Sequence, residues 1–578
     1  MRNVFVILLV CLLAAIVTAG QLSEKWVQVS PNFADDSSVD YAISVLQTAK
    51  TAGVTHVTFR DIRFGFIDLM GQHYVDNCTR FKQAAEDLGI AIVPGVMPIG
   101  YSLTYLATDA NLSAGLPVKN APFIASSGVA RPDPAARPAI LNAGFDTLIG
   151  DAPLQVPENW TIDASVASHV KADATIKHSG AASLCEFDLG NLPPESAGNC
   201  IVTQKMKVKP YQYYHLSMWV RTENFSADEF RLFIRSHKGQ RDHCYTSLPI
   251  SWWQDWTQCD VTFNTLDTTE ISIGLGAETC YSGTIWWDDL SIEPAGLANV
   301  LRGSTKPLKV TGAHGRRYVE GVDFETVVDP VVGHIPSGDP TIPAVPYDAW
   351  HQGPDIVLTA PTRIREGEKL KVSYYHPHLV YSSQYSVSTE DPAVFDAMDS
   401  QMQKVHEIFG ASAYFLAYDE IRVAGWELQP GGKHLSAGAI LSNHVKRAVG
   451  IVHKYAPDAK IYVWSDMFDP YHNACKIRPG GYYLARTDFW GSWRKLPKSV
   501  GIVNWIGRHD SMAFFGRRGH EQIMAGYYDS DPVSNVAMWQ TAAKGVPNVT
   551  GMMYTQWGSG YDNLIPFFQI VDTVDWGN

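Results

Sequence analysis

Long apolar runs and clusters of basic residues are largely missing from this sequence. The longest continuous apolar stretch, residues 4–17, falls short of the about 20 residues that a membrane-spanning helix needs. The 46 Lys and Arg are outnumbered by 59 Asp and Glu, and the formal net charge is −13. This balance argues against nucleic acid or an anionic membrane surface as a partner.

Several common catalytic motifs are absent as well. There is no Gly-rich phosphate loop and no Gly-x-Ser-x-Gly turn, which disfavours nucleotide chemistry and serine esterase activity. The histidines show no metal-ligand spacing such as His-x-x-x-His on one helix. We therefore expect neither a cofactor nor a bound metal ion.

Cysteine is sparse, with eight in 578 residues, and five of these fall between positions 185 and 280. The apolar stretch near the start is flanked by Arg2 and by Thr-Ala-Gly, the pattern of a signal peptide. Export to a secreted or periplasmic location is therefore expected. In an oxidising compartment the five clustered cysteines could form two disulfides with one left over, and their pairing stays open.

Alternating apolar segments and helical stripes predict repeated strand–helix units. Apolar strands joined by helices are typical of a parallel sheet that is covered on both faces. The predicted strands are residues 26–33, 56–67, 90–96, 413–418, 460–464, 500–505, 522–526 and 549–555. The predicted fold class is α/β, a (β/α)8 TIM barrel interrupted after its third strand.

The interruption consists of short alternating strands rich in Thr and Ser. It contains Leu-Asn-Ala-Gly-Phe-Asp at 141–146 and Ile-Trp-Trp-Asp-Asp-Leu-Ser-Ile at 285–292. In this order of motifs it resembles the jelly-roll carbohydrate-binding modules of bacterial polysaccharide-degrading enzymes. The resemblance implies a β-sandwich that either binds sugar or serves as a structural insert. The predicted division is a signal peptide at 1–20, a first barrel part at 21–131 with strands 1–3, the β-sandwich at 132–295, a small β appendage at 296–370 and a second barrel part at 371–578 with strands 4–8.

Two adjacent carboxylates, Asp419 and Glu420, follow the predicted fourth strand. Because an unpaired buried charge is costly, acids at the end of an apolar strand are expected where it reaches a solvated mouth. Glycoside hydrolysis needs one carboxylic acid to protonate the leaving oxygen and a second group at the anomeric carbon. The sequence thus predicts a glycoside hydrolase with Glu420 as proton donor. The alternative for Glu420 is a salt bridge to Arg422 or Arg60.

Polar and aromatic residues also stand at the ends of the other predicted strands, and His376 follows a further segment, residues 370–375. Aromatic rings stack on the apolar faces of sugars, and polar side chains hydrogen-bond their hydroxyl groups. The predicted substrate-binding residues are Arg60, His376, Trp464, Asp466, Asp469, Trp505, Tyr527, Tyr528, Asp529 and Trp557. The expected partner is an oligosaccharide or a polysaccharide.

The Asp-Glu pair on the fourth strand resembles the β-N-acetylhexosaminidases and their relatives. In that family the acetamido oxygen of the substrate attacks the anomeric carbon, the Asp orients the acetamido group and the Glu is the acid/base. The resemblance implies Asp419 as the orienting residue and Glu420 as the acid/base. It also implies that Tyr527 or Tyr528 hydrogen-bonds the acetamido oxygen. The run before the pair is Phe-Leu-Ala-Tyr here and His-x-Gly-Gly in the family.

Two further hypotheses fit the same residues. One is a retaining two-carboxylate glycosidase in which Asp529, after the seventh strand, or Asp466, after the fifth, is the nucleophile. The other is a secreted carbohydrate-binding protein on a barrel without catalysis. Substitution of Glu420 by Gln distinguishes them, because a binding protein has no turnover to lose.

Overall fold

The computed structural model describes residues 20–577 apart from several short gaps. The gaps are residues 152–154, 231, 237–240, 245, 247, 334–345, 380–383, 430–434, 477–482, 528–530 and 558–559. The predicted signal peptide, up to residue 19, and the predicted site residues Tyr528 and Asp529 lie outside the described residues. None of the helices described is both long and apolar enough to cross a membrane.

Eight parallel strands form a closed barrel whose neighbours follow the order of the chain. The barrel closes where the last strand pairs in parallel with the first, with Val27 opposite Tyr554. The barrel strands are Glu24–Val29, His56–Phe59, Ala91–Val96, Ala413–Leu416, Lys460–Trp464, Val500–Asn504, Gln522–Ala525 and Val549–Tyr554. The predicted α/β fold with an eight-stranded parallel barrel is thus confirmed.

Helices follow most of the barrel strands, and local sequence signals set their ends. Asp391 caps one helix by accepting a hydrogen bond from the Ala393 amide, and Gly410 ends it with a left-handed φ of 54°. Ser436 caps the next helix through the Ala439 amide. The α-helices are Asp36–Thr51, Gln72–Asp87, Leu103–Leu106, Pro392–Phe409, Ala437–Tyr455, His509–Gly516, Pro532–Ala543 and Leu564–Thr573, and the 3-10 turn Ser492–Lys495 follows the fifth strand.

The fourth barrel strand is shorter than the apolar run that predicts it. The strand ends at Leu416, and the Tyr418 amide turns back to donate to the Leu416 carbonyl. Ala417 is still tied to the third strand, because its amide donates to Val96. The two carboxylates therefore begin just beyond the sheet, on a loop at the C-terminal end of the strand.

A nine-stranded antiparallel sheet is inserted after the third barrel strand. Its longest strand pairs along its first half with Cys200–Lys207 and along its second half with Tyr213–Glu229. One apolar core gathers side chains from both halves, among them Leu275 and Trp287. The strands are Thr161–Ile162, Val170–Asp173, Ser183–Glu186, Cys200–Lys207, Tyr213–Glu229, Phe233–Ser236, Asp242–Cys244, Gln254–Asn264 and Glu270–Pro294.

Four of the five clustered cysteines, Cys185, Cys200, Cys259 and Cys280, are free thiols. The two disulfides that the sequence left open for this cluster are therefore not formed. Cys200 belongs to this apolar core and Cys185 is buried as well, and burial raises the pKa of each thiol. A thiol that stays protonated is a poor nucleophile, so these cysteines serve as small core residues.

A six-stranded sheet takes its strands from both sides of the nine-stranded sheet. The strands Gly115–Ser126 and Lys369–Pro377 pair antiparallel, so residues predicted in the two barrel parts join this sheet. The strands are Gly115–Ser126, Val129–Pro132, Lys309–Gly312, Arg317–Tyr318, Ile356–Val357 and Lys369–Pro377. The division at 131, 295 and 370 stays a prediction, as does a jelly-roll topology. A two-stranded ribbon joins Leu148–Ile149 to Val156–Pro157.

A fully buried ion cluster connects the six-stranded sheet with the barrel. The Lys306 Nζ lies 3.0 Å from an Asp391 Oδ2 and 3.1 Å from a Glu427 Oε2, and its side chain is completely buried. Glu427 also accepts a 3.0 Å hydrogen bond from the Gly115 amide, at the start of the sheet. Removal of one member of such a cluster leaves a buried charge without its partner.

We expect Lys306→Met to destabilise the protein by about 3–5 kcal/mol, because Asp391 and Glu427 would lose their cationic partner in a buried site. The measurement is the midpoint of denaturation in urea. Lys404→Met is the matched control, because Lys404 pairs with Asp68 at the surface and its loss should change little. Equal midpoints for both variants would contradict the prediction.

Candidate active site

A cavity of about 250 Å³ opens at the C-terminal ends of the barrel strands. Ligands of α/β barrels bind at this end, where the loops after the strands meet. The cavity combines two carboxylates, two indoles, a guanidinium group and a phenol. Its lining residues are Arg60, Tyr101, Asp419, Glu420, Trp505 and Trp557. Five of these six were predicted from the sequence, and Tyr101 was not.

The backbone at Glu420 adopts a conformation that is unusual for a residue with a side chain. Its φ is +43°, in the left-handed region, which typically costs a non-glycine residue about 1–3 kcal/mol. Two contacts hold it there. The Glu420 amide donates a 2.9 Å hydrogen bond to Asp466 Oδ2. Gly100 packs directly against the Asp419 carbonyl group, and a Cβ added at position 100 would fall 1.8 Å from the carbonyl oxygen. This turn brings two consecutive carboxylates to one cavity.

The Glu420 carboxylate is held by three donors on a single oxygen. Oε2 accepts from the Tyr101 hydroxyl at 2.5 Å, from Gln384 Nε2 at 2.9 Å and from the Arg422 guanidinium at 2.8 Å. Of the two salt bridges considered for Glu420, the one to Arg422 is therefore present. It does not remove Glu420 from the site, since the side chain still lines the cavity.

Asp419 lies in a different electrostatic environment from its neighbour. Its pKa is raised to about 7, chiefly because the residue is buried and also because the Glu420 charge is near. The guanidinium groups of Arg60 and Arg422 oppose this shift without cancelling it. Burial also raises the pKa of Tyr101, with help from the Glu420 charge, so its hydroxyl remains a donor. Asp419 thus keeps its proton at a pH where an ordinary Asp has lost it.

Asp466 was predicted to bind substrate, but it lies behind the cavity. The residue is fully buried, and its Oδ2 accepts hydrogen bonds from the Glu420 amide and from Asn473 Nδ2, both at 2.9 Å. Burial and the nearby Asp419 charge raise the pKa of Asp466. Its contacts are those of a residue that positions the Glu420 backbone.

The aromatic residues of the site form one cluster. Trp505 and Trp557 line the cavity, and Trp557 is 43% exposed. Trp464 lies beneath them, with its ring 6.2 Å from each of the other two. The Arg60 guanidinium lies 5.6 Å from the Trp557 ring. Trp464 therefore supports the two indoles that a ligand can reach.

Three predicted substrate-binding residues lie elsewhere in buried structure, which corrects their assignment to the cavity. His376 is on a strand of the six-stranded sheet, where its ring stacks on Tyr213 and meets Asn264 at 2.9 Å. Asp469 is fully buried and accepts from the Tyr471 amide. The Tyr527 hydroxyl accepts a 2.7 Å hydrogen bond from Asn563, beneath the last helix.

Gly100, Tyr101 and Gln384 contribute to the site but were not predicted from the sequence. Gly100 and Tyr101 follow the third barrel strand, so the rule that functional residues follow barrel strands could have found them. Gln384 comes just after the inserted sheets, on no predicted element, and no sequence pattern marks it. In the part of the chain that the structure describes, no group of three or more His, Cys, Asp or Glu is suited to hold a metal ion.

Comparisons with known proteins identify no family for this chain. No family model matches it, and no curated protein matches it. Among solved structures, a rhamnosidase from Novosphingobium sp. PP1Y is 10% identical and aligns over 97% of this chain and 59% of its own, with a TM-score of 0.32. Dispersin B is 11% identical over 33% of this chain and 60% of its own, with a TM-score of 0.20.

A third similar structure is TmCBM61 in complex with β-1,4-galactotriose. It is 16% identical over 27% of this chain and 97% of its own, with a TM-score of 0.20. Similarities this low assign neither a family nor an activity. The function proposed below therefore depends on the chemistry of the cavity.

The raised pKa of Asp419 predicts a pH-dependent effect of Asp419→Asn on stability. The folded-state pKa of about 7 exceeds the ordinary 3.8. The stabilising contribution of Asp419 to the free energy of unfolding is therefore complete below about pH 4 and is lost as pH rises through 7. The Asn variant cannot ionise and does not lose this contribution. As pH rises, the free energy of unfolding of the variant should therefore increase relative to that of wild type, by at most about 4 kcal/mol.

The measurement is the melting temperature of both proteins at pH 5 and pH 8. Asp458→Asn, at an exposed carboxylate, is the control and should show no such gain. A constant difference between Asp419→Asn and wild type at the two pH values would show that Asp419 does not titrate in this range.

Proposed function

We propose that the protein is a glycoside hydrolase that cleaves a bond in an oligosaccharide or polysaccharide, with Asp419 and Glu420 as its catalytic pair. The observation that carries the proposal is that two consecutive carboxylates in unlike environments line one cavity together with two indoles. Trp505 and Trp557 offer flat apolar faces for stacking against sugar rings. The pair of acids supplies the two groups that glycosidic bond cleavage needs.

The environments of the two carboxylates support a definite assignment of roles. A general acid must hold a proton at the working pH, and its partner must be ionised. Asp419, with its pKa raised to about 7, fits the proton donor to the leaving oxygen. Glu420, fixed by three donors on Oε2, fits the ionised group that stabilises the positive charge developing on the sugar. These roles are the reverse of those predicted from the sequence resemblance.

The contacts also bear on the other predicted mechanisms. Asp466 is a poor nucleophile candidate, because it is fully buried and its Oδ2 is engaged by Glu420 and Asn473. The other nucleophile candidate, Asp529, and the acetamido-binding candidate Tyr528 lie outside the described residues, so those roles stay predictions. Because Tyr527 is bound to Asn563, we propose no preference for an acetamido sugar.

The cellular location and the role of the insert belong to the same proposal. A secreted or periplasmic enzyme is consistent with the signal-peptide pattern of residues 1–20. The exposure of individual tryptophans suits a sugar-binding role for the nine-stranded sheet. Trp252 and Trp253 are 65% and 61% exposed, whereas Trp160 and Trp287 lie in its core.

Substrates with different leaving groups test the assignment of the proton donor. The comparison is between 4-nitrophenyl glycosides, whose leaving group needs little protonation, and alkyl glycosides of the same sugar. Asp419→Asn should lose about 10²- to 10⁴-fold on alkyl glycosides and much less on nitrophenyl glycosides. Glu420→Gln should lose activity on both, because the developing charge is no longer stabilised.

The control is Glu407→Gln, at a carboxylate that is half exposed on the helix Pro392–Phe409. If Glu420→Gln shows the dependence on the leaving group, the roles given by the hexosaminidase resemblance are correct. If wild type cleaves no glycoside in a broad panel but binds sugar, the alternative of a carbohydrate-binding protein replaces the hydrolase.

The two exposed tryptophans of the insert give a separate prediction. Replacing Trp252 and Trp253 together by Ala should weaken adsorption to insoluble polysaccharide while turnover of a small aryl glycoside is kept. The measurement is depletion of the protein from solution by cellulose, chitin and xylan. Tyr41→Ala, which removes an aromatic ring that is 56% exposed on the barrel, is the matched control. Unchanged adsorption would leave the insert with a structural role.

A further inference from the structure

A second and larger cavity adjoins the candidate active site. Its volume is about 430 Å³, within the range of ligand-binding pockets. Arg60 and Tyr101 line both cavities, so the two meet across these side chains. A sugar bound over Asp419 and Glu420 would therefore have its neighbouring residue close to this second space. The lining also includes Asn32, Asp61, Arg63, Thr104 and Gln401.

Arg60 stands at this junction, and no carboxylate of the described residues pairs with it. The described residues make no hydrogen bond or ion pair to its guanidinium, which lies over the Trp557 ring and acts on Asp419 only through its charge. A guanidinium presents five N–H donors in a planar fork that matches a carboxylate in two parallel hydrogen bonds. An arginine left open at a ligand cavity is suited to a negatively charged group on the ligand.

The other charges around the two cavities are largely balanced by partners within the protein. Arg63 pairs with Asp61 at 2.8 Å, and both side chains are buried. Arg422 pairs with Glu420 in the same way. Asp419 is the one carboxylate of the smaller cavity's lining without such a partner among the described residues, and with a pKa of about 7 it is only partly ionised near neutral pH. Among the described residues that line the two cavities, together with their ion-pair partners, the charges therefore sum to +1 while Asp419 is protonated, although the whole protein has a formal net charge of −13.

A buried amide adds a second donor to the larger cavity. Gln401 is 2% exposed, and its Oε1 accepts from the Met97 amide and from the Tyr105 hydroxyl. Its Nε2 has no acceptor among the described residues. A buried polar group without a partner is uncommon in native proteins and calls for a physical reason. An acceptor group of a ligand in this cavity would supply one.

We propose that the substrate is an acidic glycan, and that the larger cavity receives a uronate-type sugar whose carboxylate pairs with the Arg60 guanidinium. The inference rests on the proposed function, since it names the substrate class of the same site. Arg60 then selects the substrate, while Asp419 and Glu420 cleave the adjoining bond. Trp557 holds one face of the guanidinium and so limits the directions in which its donors point.

The test compares acidic oligosaccharides with their carboxyl-reduced forms, in which each uronate has become a neutral sugar of nearly the same shape. The probes are oligogalacturonides, glucuronate-bearing xylan fragments and hyaluronan fragments. Binding is measured by calorimetry with the full-length Glu420→Gln variant, so that no probe is consumed. At least one acidic probe should bind about 10- to 100-fold more tightly than its reduced form. The preference should fall at high salt.

Variants of Arg60 identify the group responsible. Arg60→Met, made in the same background, should abolish the preference for the acidic probe, measured as the ratio of the affinities for the acidic and the reduced form. Arg60→Lys should restore part of the preference, since it keeps the charge without the planar fork. Arg80→Met is the control, because Arg80 lies exposed on the helix Gln72–Asp87 and pairs with Asp40 of the preceding helix.

The outcomes separate this inference from the proposed function. If no acidic probe binds more tightly than its reduced form, or if the preference survives in Arg60→Met, the inference is wrong. Cleavage of neutral glycans without a preference for acidic ones would uphold the hydrolase and overturn the inference alone. Acidic probes bound through Arg60 but cleaved by no form of the protein would overturn the hydrolase, and of the inference only the recognition of the acidic group by Arg60 would remain.

Discussion

The hydrogen bond from the Glu420 amide to Asp466 is the constraint on which the site depends. Consecutive residues on an extended chain point in opposite directions, so an Asp-Glu pair would ordinarily divide between two faces. The left-handed turn at Glu420 avoids this outcome, and Asp466 holds the turn from a fully buried position. Gly100 allows it by leaving room beside the Asp419 carbonyl. The two acids thus reach one cavity, where burial raises the pKa of Asp419 and three donors hold Glu420 Oε2.

Local sequence signals predicted the strands of the barrel well. The apolar strand Lys460–Trp464 depends on neighbouring residues, and the structure has it at the predicted bounds. The helix Pro392–Phe409 likewise begins and ends through neighbouring residues, Asp391 and Gly410. The closed barrel followed from repetition of such units. The misassignment of His376 shows the limit of this reasoning, because an apolar strand followed by a histidine looks the same in a barrel and in an antiparallel sheet.

The chemistry of the site was only partly visible in the sequence. The Asp-Glu pair and the indoles Trp505 and Trp557 could be found, because they follow apolar strands. The donors Tyr101 and Gln384, which meet Glu420 Oε2, come from segments 319 and 36 positions away. Their contacts arise from tertiary folding, so no local pattern reveals them. If the contacts of Tyr101 and Gln384 are not known, Glu420 looks like the proton donor of the pair, and the roles of Asp419 and Glu420 are then assigned the other way round.

The insertion begins after the third barrel strand, and its two ends are tied to the centre of the barrel. Tyr101 precedes the inserted sheets and Gln384 follows them, and both donate to the same oxygen of Glu420. The buried Lys306 adds a third attachment, through Glu427 on the loop that carries the acids. A shortened protein made by excising both sheets would therefore lose alignment of its acids even if the barrel still closed. An inserted domain that is exchanged between such chains has to be transferred together with its flanking residues, here Tyr101 and Gln384.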